Sequence, residues 1–320
     1  MDSRAEALEE ELRCLLGRGS RREVALFGAR NGFLNEDLRS RALDILLGVD
    51  FKSELKSAQE ALDGVGTAEV PEATVIANDV IRSFNINQLV SDASPGEKAE
   101  LRTELSAMLK GFFLGQEKAA YYQGFNSVAE VLLLAYGMDS GLVYLRRLAP
   151  IFFADFLAAR DLKTPLETSA RRITRLVTEE TGEVLEPEQT LLTVGWTVTV
   201  FSHYLPDHDI LWRIWDFLLG VKLSELGPFA LAVEFGLDPL KIPSAQPQKL
   251  SLPEFAPLVD CLVSAVLIFL FTNRKEKASP DDPVPRYFKE DSLRRLDREA
   301  FEEIFKISIG LLFRLDSISA

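Results

Sequence analysis

Leucines recur at helical spacing from the start of the chain: Leu8, Leu12, Leu15 and Leu16 share one face, while Glu9, Glu10, Glu11 and Arg13 fill most of the other. That period of about 3.6 residues predicts an amphipathic helix. Ser20 and Glu23 have capping-box spacing ahead of Val24, Leu26 and Phe27, and Gly28 offers a stop. Asn35 is placed to cap a helix with Leu38, Ala42, Ile45 and Leu46 on one face, ended by Gly48.

The pattern continues as helices. Residues 51 to 71, punctuated by Gly64, Gly66 and Pro71, read as a weak helix and then a connection, with Pro71 opening the next helix. Ser94, Pro95 and Glu97 stand as N-cap, first-turn proline and capping-box acid before Leu101, Leu105, Met108, Leu109, Phe112 and Phe113. From Phe125 to Tyr136 apolar residues dominate on all sides, which predicts a buried central helix. Thr190 to Phe201 is rich in β-branched residues and by periodicity alone could be a strand. Its helical neighbours and the absence of any hairpin signal favour a buried helix there. Leu293, Leu296, Phe301, Ile304, Phe305, Leu311 and Leu312 predict a closing helix after the break at Pro280, Pro283 and Pro285. The fold class expected is all-α.

Composition narrows the function. With 36 Lys and Arg against 49 Asp and Glu, the net charge of −13 is opposite to what a phosphate-backbone binder needs, so no nucleic-acid partner is expected. Cys14 and Cys261 stand far apart and outside any metal-ligand spacing, as reduced thiols of a cytoplasmic protein would. The N-terminus has neither the apolar core of a signal peptide nor the bias of a transit peptide. The apolar run from Leu258 to Phe271 contains Asp260 and falls short of the roughly 18 residues of a membrane span, so it reads as a buried helix and no transmembrane segment is expected.

Nucleotide-binding glycine loops, zinc-protease helices and serine-hydrolase elbows are all missing from the sequence, and His203 and His208 read as structural or surface histidines. Three short segments remain. In Ile76–Arg82, Ile76 and Val80 face inward while Asp79 and Arg82 lie three apart, near enough to pair. Such a pair is either an ordinary solvated ion pair or an aspartate fixing a guanidinium that meets phosphate oxygens. Tyr121-Tyr122-Gln123-Gly124-Phe125-Asn126 lies at the entry to the central helix, where Gly124 permits a tight turn; taken alone it reads as a plain loop-to-helix junction, and in a site Gln123 could orient a water. The aromatic stretch from Trp196 through Arg213, Ile214, Trp215, Asp216 and Phe217 has a packing role first.

In this order the segments resemble the fingerprints IxxDxxR, YxQG and RIWD of the TBC domain of Rab GTPase-activating proteins. Asn35–Arg39 before Leu46–Asp50 resembles that domain's opening helix, although Leu43 stands where a tryptophan is common. The resemblance covers residues 20–275, between an N-terminal amphipathic helix (1–19) and a C-terminal helical extension (276–320); the stretch 160–188 matches no family pattern. It implies a TBC-domain fold of two helical subdomains packed into one unit.

The resemblance further implies an activator with no independent reaction of its own. Arg82 and Gln123 would be arginine and glutamine fingers acting on a GTP-bound Rab GTPase, supported by Asp79, Ile76, Tyr121, Gly124, Asn126, Arg213, Trp215 and Asp216. GTP and magnesium would belong to the partner, so no cofactor is expected, and the work would be regulation of vesicle traffic at endomembrane surfaces. Trp196–Leu219 resembles the subgroup acting on early secretory Rabs. The alternative is a catalytically silent TBC-fold scaffold that binds a GTPase or a trafficking protein.

Overall fold

A computed structural model describes residues 3–66, 70, 72–85, 87–114, 116, 118–159, 161–185, 187–242, 255–274 and 291–315. The chain opens with α1 (Ser3–Arg18), α2 (Arg21–Asn31), α3 (Glu36–Leu47), α4 (Phe51–Gly64) and α5 (Ala73–Arg82). A short 3₁₀ turn, Gln88–Val90, leads to α6 (Pro95–Phe113), α7 (Phe125–Phe152), α8 (Ala154–Ala158), α9 (Lys163–Thr181) and α10 (Pro187–Thr199). After these come α11 (His208–Leu223), α12 (Pro228–Glu234), α13 (Phe255–Arg274), α14 (Asp291–Arg294) and α15 (Arg298–Leu312). No strand occurs among the described residues, so the fold is all-α, as the hydrophobic pattern predicts.

Local chemistry explains several of these boundaries. The Asn35 side chain accepts the Leu38 N–H at 3.0 Å, and Gly48 ends α3 with φ +61. Ser94 and Glu97 form the full reciprocal box at the start of α6, with bonds of 2.7 and 3.3 Å. Ser20 sits at the N-cap of α2, but its side chain makes no capping bond. Gly28 does not stop that helix, which runs on to Asn31 and ends at Gly32. Gly28 instead makes room for a ring: a β-carbon there would lie 2.2 Å from Cζ of Phe33.

Thr190–Phe201 is helical through Thr199, although its composition is strand-like. Its threonines satisfy their hydroxyls on the preceding turn, Thr197 on the Thr193 carbonyl at 2.9 Å and Thr199 on the Gly195 carbonyl at 2.8 Å. The central helix keeps helical geometry up to Tyr136 and is interrupted at Gly137, φ +72. The closing helix is divided, because the Asp297 carboxylate accepts the Ala300 N–H at 2.9 Å and starts α15 afresh. Pro71, Pro280, Pro283 and Pro285 lie outside the described residues.

Helices α4 and α5 both pack on α6, and all three pack on α7, which also touches α3, α10 and α13. Around α13 gather α9, α10, α11 and α15, while α11 lies against α2. The buried apolar side chains form one contiguous core from Leu12 to Leu315. Residues 160–188, without a motif of their own, hold α9, which buries Ile173, Leu176 and Val177 and pairs Arg172 with the wholly buried Asp260 of α13. By length and hydropathy Phe125–Phe152 and Ala256–Asn273 could each span a membrane, yet 61% and 67% of their most apolar windows are buried inside the protein. Both therefore act as core helices of this fold.

Candidate functional site

Arg82 is the last residue of α5, and its side chain is 62% exposed beside an Asp79 that is 5% exposed. The two pair across one helical turn, as the spacing predicts. Ile76, one turn back, is fully buried and seats the helix on the core. Asp79 is more than a surface partner: its second oxygen accepts the Tyr121 hydroxyl at 2.7 Å, from 42 residues away. Burial and this bond to a carboxylate hold the Tyr121 phenol well above its ordinary pKa, so it donates and does not ionise.

That bond joins the two candidate segments. Tyr121 reaches α5, while Tyr122 turns into an aromatic cluster with Phe125, Phe153 and Phe156 and donates to the Val198 carbonyl at 2.8 Å. With both tyrosines buried, Gln123 is left exposed on the turn. Gly124 makes this possible in two ways. Its φ of +102 is open to glycine and rarely to other residues, and a β-carbon would stand 3.0 Å from the Thr199 methyl of α10. Asn126, buried at the start of α7, donates to Ser83 Oγ at 2.9 Å, a second tie between the glutamine turn and the end of the arginine helix.

Arg213, Trp215 and Asp216 lie elsewhere and knit the fold. Arg213 donates to the carbonyls of Ala29 at 3.1 Å and Arg30 at 3.0 Å, and to the Glu302 carboxylate at 2.8 Å. Asp216 accepts the Phe33 N–H at 2.9 Å and the Arg39 guanidinium at 3.2 Å. Trp215 donates to the Val200 carbonyl at 3.0 Å. They fasten α11 to α2, to the turn between α2 and α3, to α15 and to the end of α10, away from Arg82, Asp79 and Gln123 in their bonding.

Sequence reasoning passed over the residues that hold the turn after Arg82. Glu130, buried on α7, accepts the Phe84 N–H and the Asn87 amide, each at 3.1 Å. Asn87 also meets His208 Nε2 at 3.0 Å, and Arg102 of α6 donates to the Ser83 carbonyl at 3.2 Å. The signal for Glu130 was present: it is the lone acid in the otherwise apolar stretch from Phe125 to Tyr136. Burial raises its pKa, partly offset by the two donors and by the charge of Arg102. His208, assigned no more than a structural role from sequence, completes the network and has its pKa lowered by burial.

Chemically the arrangement offers a cation held by the buried Asp79 and a neutral amide on a turn whose neighbours Tyr121, Tyr122 and Asn126 are fixed by buried polar bonds. Apolar side chains are also exposed on the same stretch of chain as Arg82: Val75 and Ile81 on α5, and Leu89 in the turn that follows. A family model described as the Rab-GTPase-TBC domain matches residues 36–233, more than half of the chain. No match was found among curated proteins.

Proposed function

The chain belongs to the Rab-GTPase-TBC domain family, and from that premise we propose that it accelerates GTP hydrolysis on a GTP-bound Rab-type GTPase through Arg82 and Gln123. The observation that carries this reading is the single buried carboxylate of Asp79, which holds Arg82 by one oxygen and Tyr121, two residues before Gln123, by the other. The two segments are thereby locked together while both functional side chains remain exposed.

Hydrolysis spreads negative charge over the transferred phosphoryl group while water attacks in line, so catalysis consists mostly of positioning and electrostatic stabilisation. The Arg82 guanidinium neutralises that charge, and the Gln123 amide orients the attacking water. Magnesium and nucleotide come with the GTPase, and this chain contributes side chains in trans. Arginine fingers in other systems are worth about 10³ to 10⁵ in kcat, or roughly 4 to 7 kcal/mol. An ordinary exposed ion pair, worth at most about 1 kcal/mol, supplies nothing of that size.

Ile81, exposed directly beside Arg82 in sequence, supports docking of a partner at the arginine, since an exposed large apolar side chain next to a functional group can be covered by that partner. The setting we propose is the cytoplasmic face of an endomembrane, in control of vesicle traffic, with early secretory Rabs the first candidates. A hydrolysis assay against a panel of GTP-loaded Rab GTPases tests the reading. Stimulation of at least one member by the wild-type chain, lost in both Arg82→Ala and Gln123→Ala, is the expected result. Binding without stimulation across the panel would establish a silent scaffold instead.

A further inference from the structure

The turn that leaves α5 after Arg82 is held by a residue outside all three fingerprints. Phe84 has φ +66, left-handed backbone that a buried aromatic adopts only where its surroundings enforce it. Facing it is Glu130 of α7, 8% exposed, whose Oε2 accepts the Phe84 N–H at 3.1 Å and whose Oε1 accepts Asn87 Nδ2 at 3.1 Å. Asn87 Oδ1 accepts the Leu89 N–H at 3.1 Å and so starts the 3₁₀ turn. The Arg82 carbonyl is capped by Asn85 Nδ2 at 2.7 Å. One carboxylate on the central helix therefore fixes both Phe84 and Asn87, directly after the residue that ends α5.

A buried carboxylate in the apolar first half of α7 carries a solvation cost that alanine or leucine would avoid. The bonds described for it all run to this one short stretch, which points to a local geometric task. We infer that Glu130 is a positioning residue for Arg82: by clamping the strained turn it sets where α5 ends and in which direction the Asp79–Arg82 pair is presented. The inference rests on the role given to Arg82 above. It also assigns a use to Asn87, whose amide is oriented by His208 on one side and Leu89 on the other and so cannot rotate to suit a neutral partner.

Glu130→Gln tests this with least disturbance. Glutamine keeps the volume and one acceptor, but its NH₂ must then face either the Phe84 N–H or the Asn87 amide, and one of the two bonds fails. Three quantities are read on a GTPase that the wild-type chain stimulates: kcat for stimulated hydrolysis, the Kd for that GTPase loaded with a non-hydrolysable GTP analogue, and Tm. The expected result is a fall in kcat of about 10- to 100-fold, as for catalytic groups displaced by an ångström, with Kd changed by less than about threefold. Restoring the acid as Glu130→Asp, a methylene shorter, should recover only part of the rate.

A kcat within about twofold of wild type would overturn the inference, as would a rate loss that merely follows an equal weakening of binding. Arg82→Ala, measured alongside, separates the two levels. Loss of rate in Arg82→Ala but not in Glu130→Gln removes the positioning role alone. An unaffected Arg82→Ala removes both.

Discussion

Helices α5 and α11 each carry an aspartate and an arginine three residues apart, and they use them differently. On α5 the order is Asp79 then Arg82, the two pair with each other, and the arginine side chain is 62% exposed. On α11 the order is Arg213 then Asp216, both are buried, and each binds a different neighbour: Arg213 takes Glu302 and two carbonyls of α2, and Asp216 takes Arg39 and the Phe33 N–H. Residue types and spacing are the same, so burial and partners decide the role. A buried arginine bonded to neighbouring elements ties those elements together, whereas an arginine held at its base and open at its tip can act on another molecule.

Substitutions at the two sites should separate accordingly, and the largest effect is on rate. Arg82→Ala is expected to lower stimulated kcat by about 10³- to 10⁵-fold while moving Tm by no more than about 4 °C. A rate loss that comes with a large fall in Tm would make the α5 pair structural like its counterpart on α11. Asp216→Ala should do the converse. It leaves the Arg39 guanidinium, 11% exposed, without its carboxylate and orphans the Phe33 N–H. Breaking such a buried pair costs about 3 to 5 kcal/mol, readable by chemical denaturation, and the folded fraction should retain its rate.

Asp79→Ala is intermediate, since it releases Arg82 and strands the Tyr121 hydroxyl. A loss in kcat of about 10- to 100-fold is expected, and an unchanged rate would remove its anchoring role. Tyr121→Phe deletes one hydrogen bond and should cost about 0.5 to 1.5 kcal/mol, with a modest fall in rate and Arg82 still paired.

The smallest expected effect concerns pH. Burial holds the His208 pKa below its ordinary 6.5 in the folded state, opposed by Asp207 and Asp209. The unfolded chain therefore binds the proton more readily, and stability falls as pH drops through and below about 6.5. Protonation would also set an N–H against the Asn87 amide. Comparing Tm at pH 7.5 and 5.5 in the wild type and in His208→Gln isolates this residue from the other titrating groups, and the wild type should show the steeper acid loss.

Much of the fold was legible because helix signals are local. Asn35, Gly48, Ser94 and Glu97 act within one turn of themselves, and each does in the structure what its position suggested. Where a signal needs a distant partner, local reading failed. Gly28 serves Phe33 and not the end of a helix, and Thr190–Phe201 could be settled only by its surroundings. The site divides in the same way. The Asp79–Arg82 pair follows from helical spacing, and the exposed Gln123 from its place at a turn. The bond between Asp79 and Tyr121 spans 42 residues, and the Glu130 clamp on Phe84 spans 46, so local pattern could mark Glu130 as unusual but could not name either partner.

The proposed activity requires Arg82 and Gln123 to act together on one phosphoryl group, and a structure of the complex tests that most directly. The chain would be crystallised with a Rab GTPase that it stimulates, loaded with GDP, magnesium and aluminium fluoride as a mimic of the transferring phosphate. The predicted result places the Arg82 guanidinium on the fluoride and the Gln123 amide on the attacking water, each within about 2.7–3.2 Å. A GTPase docked elsewhere, or one whose own glutamine holds that water while Gln123 points away, would contradict it.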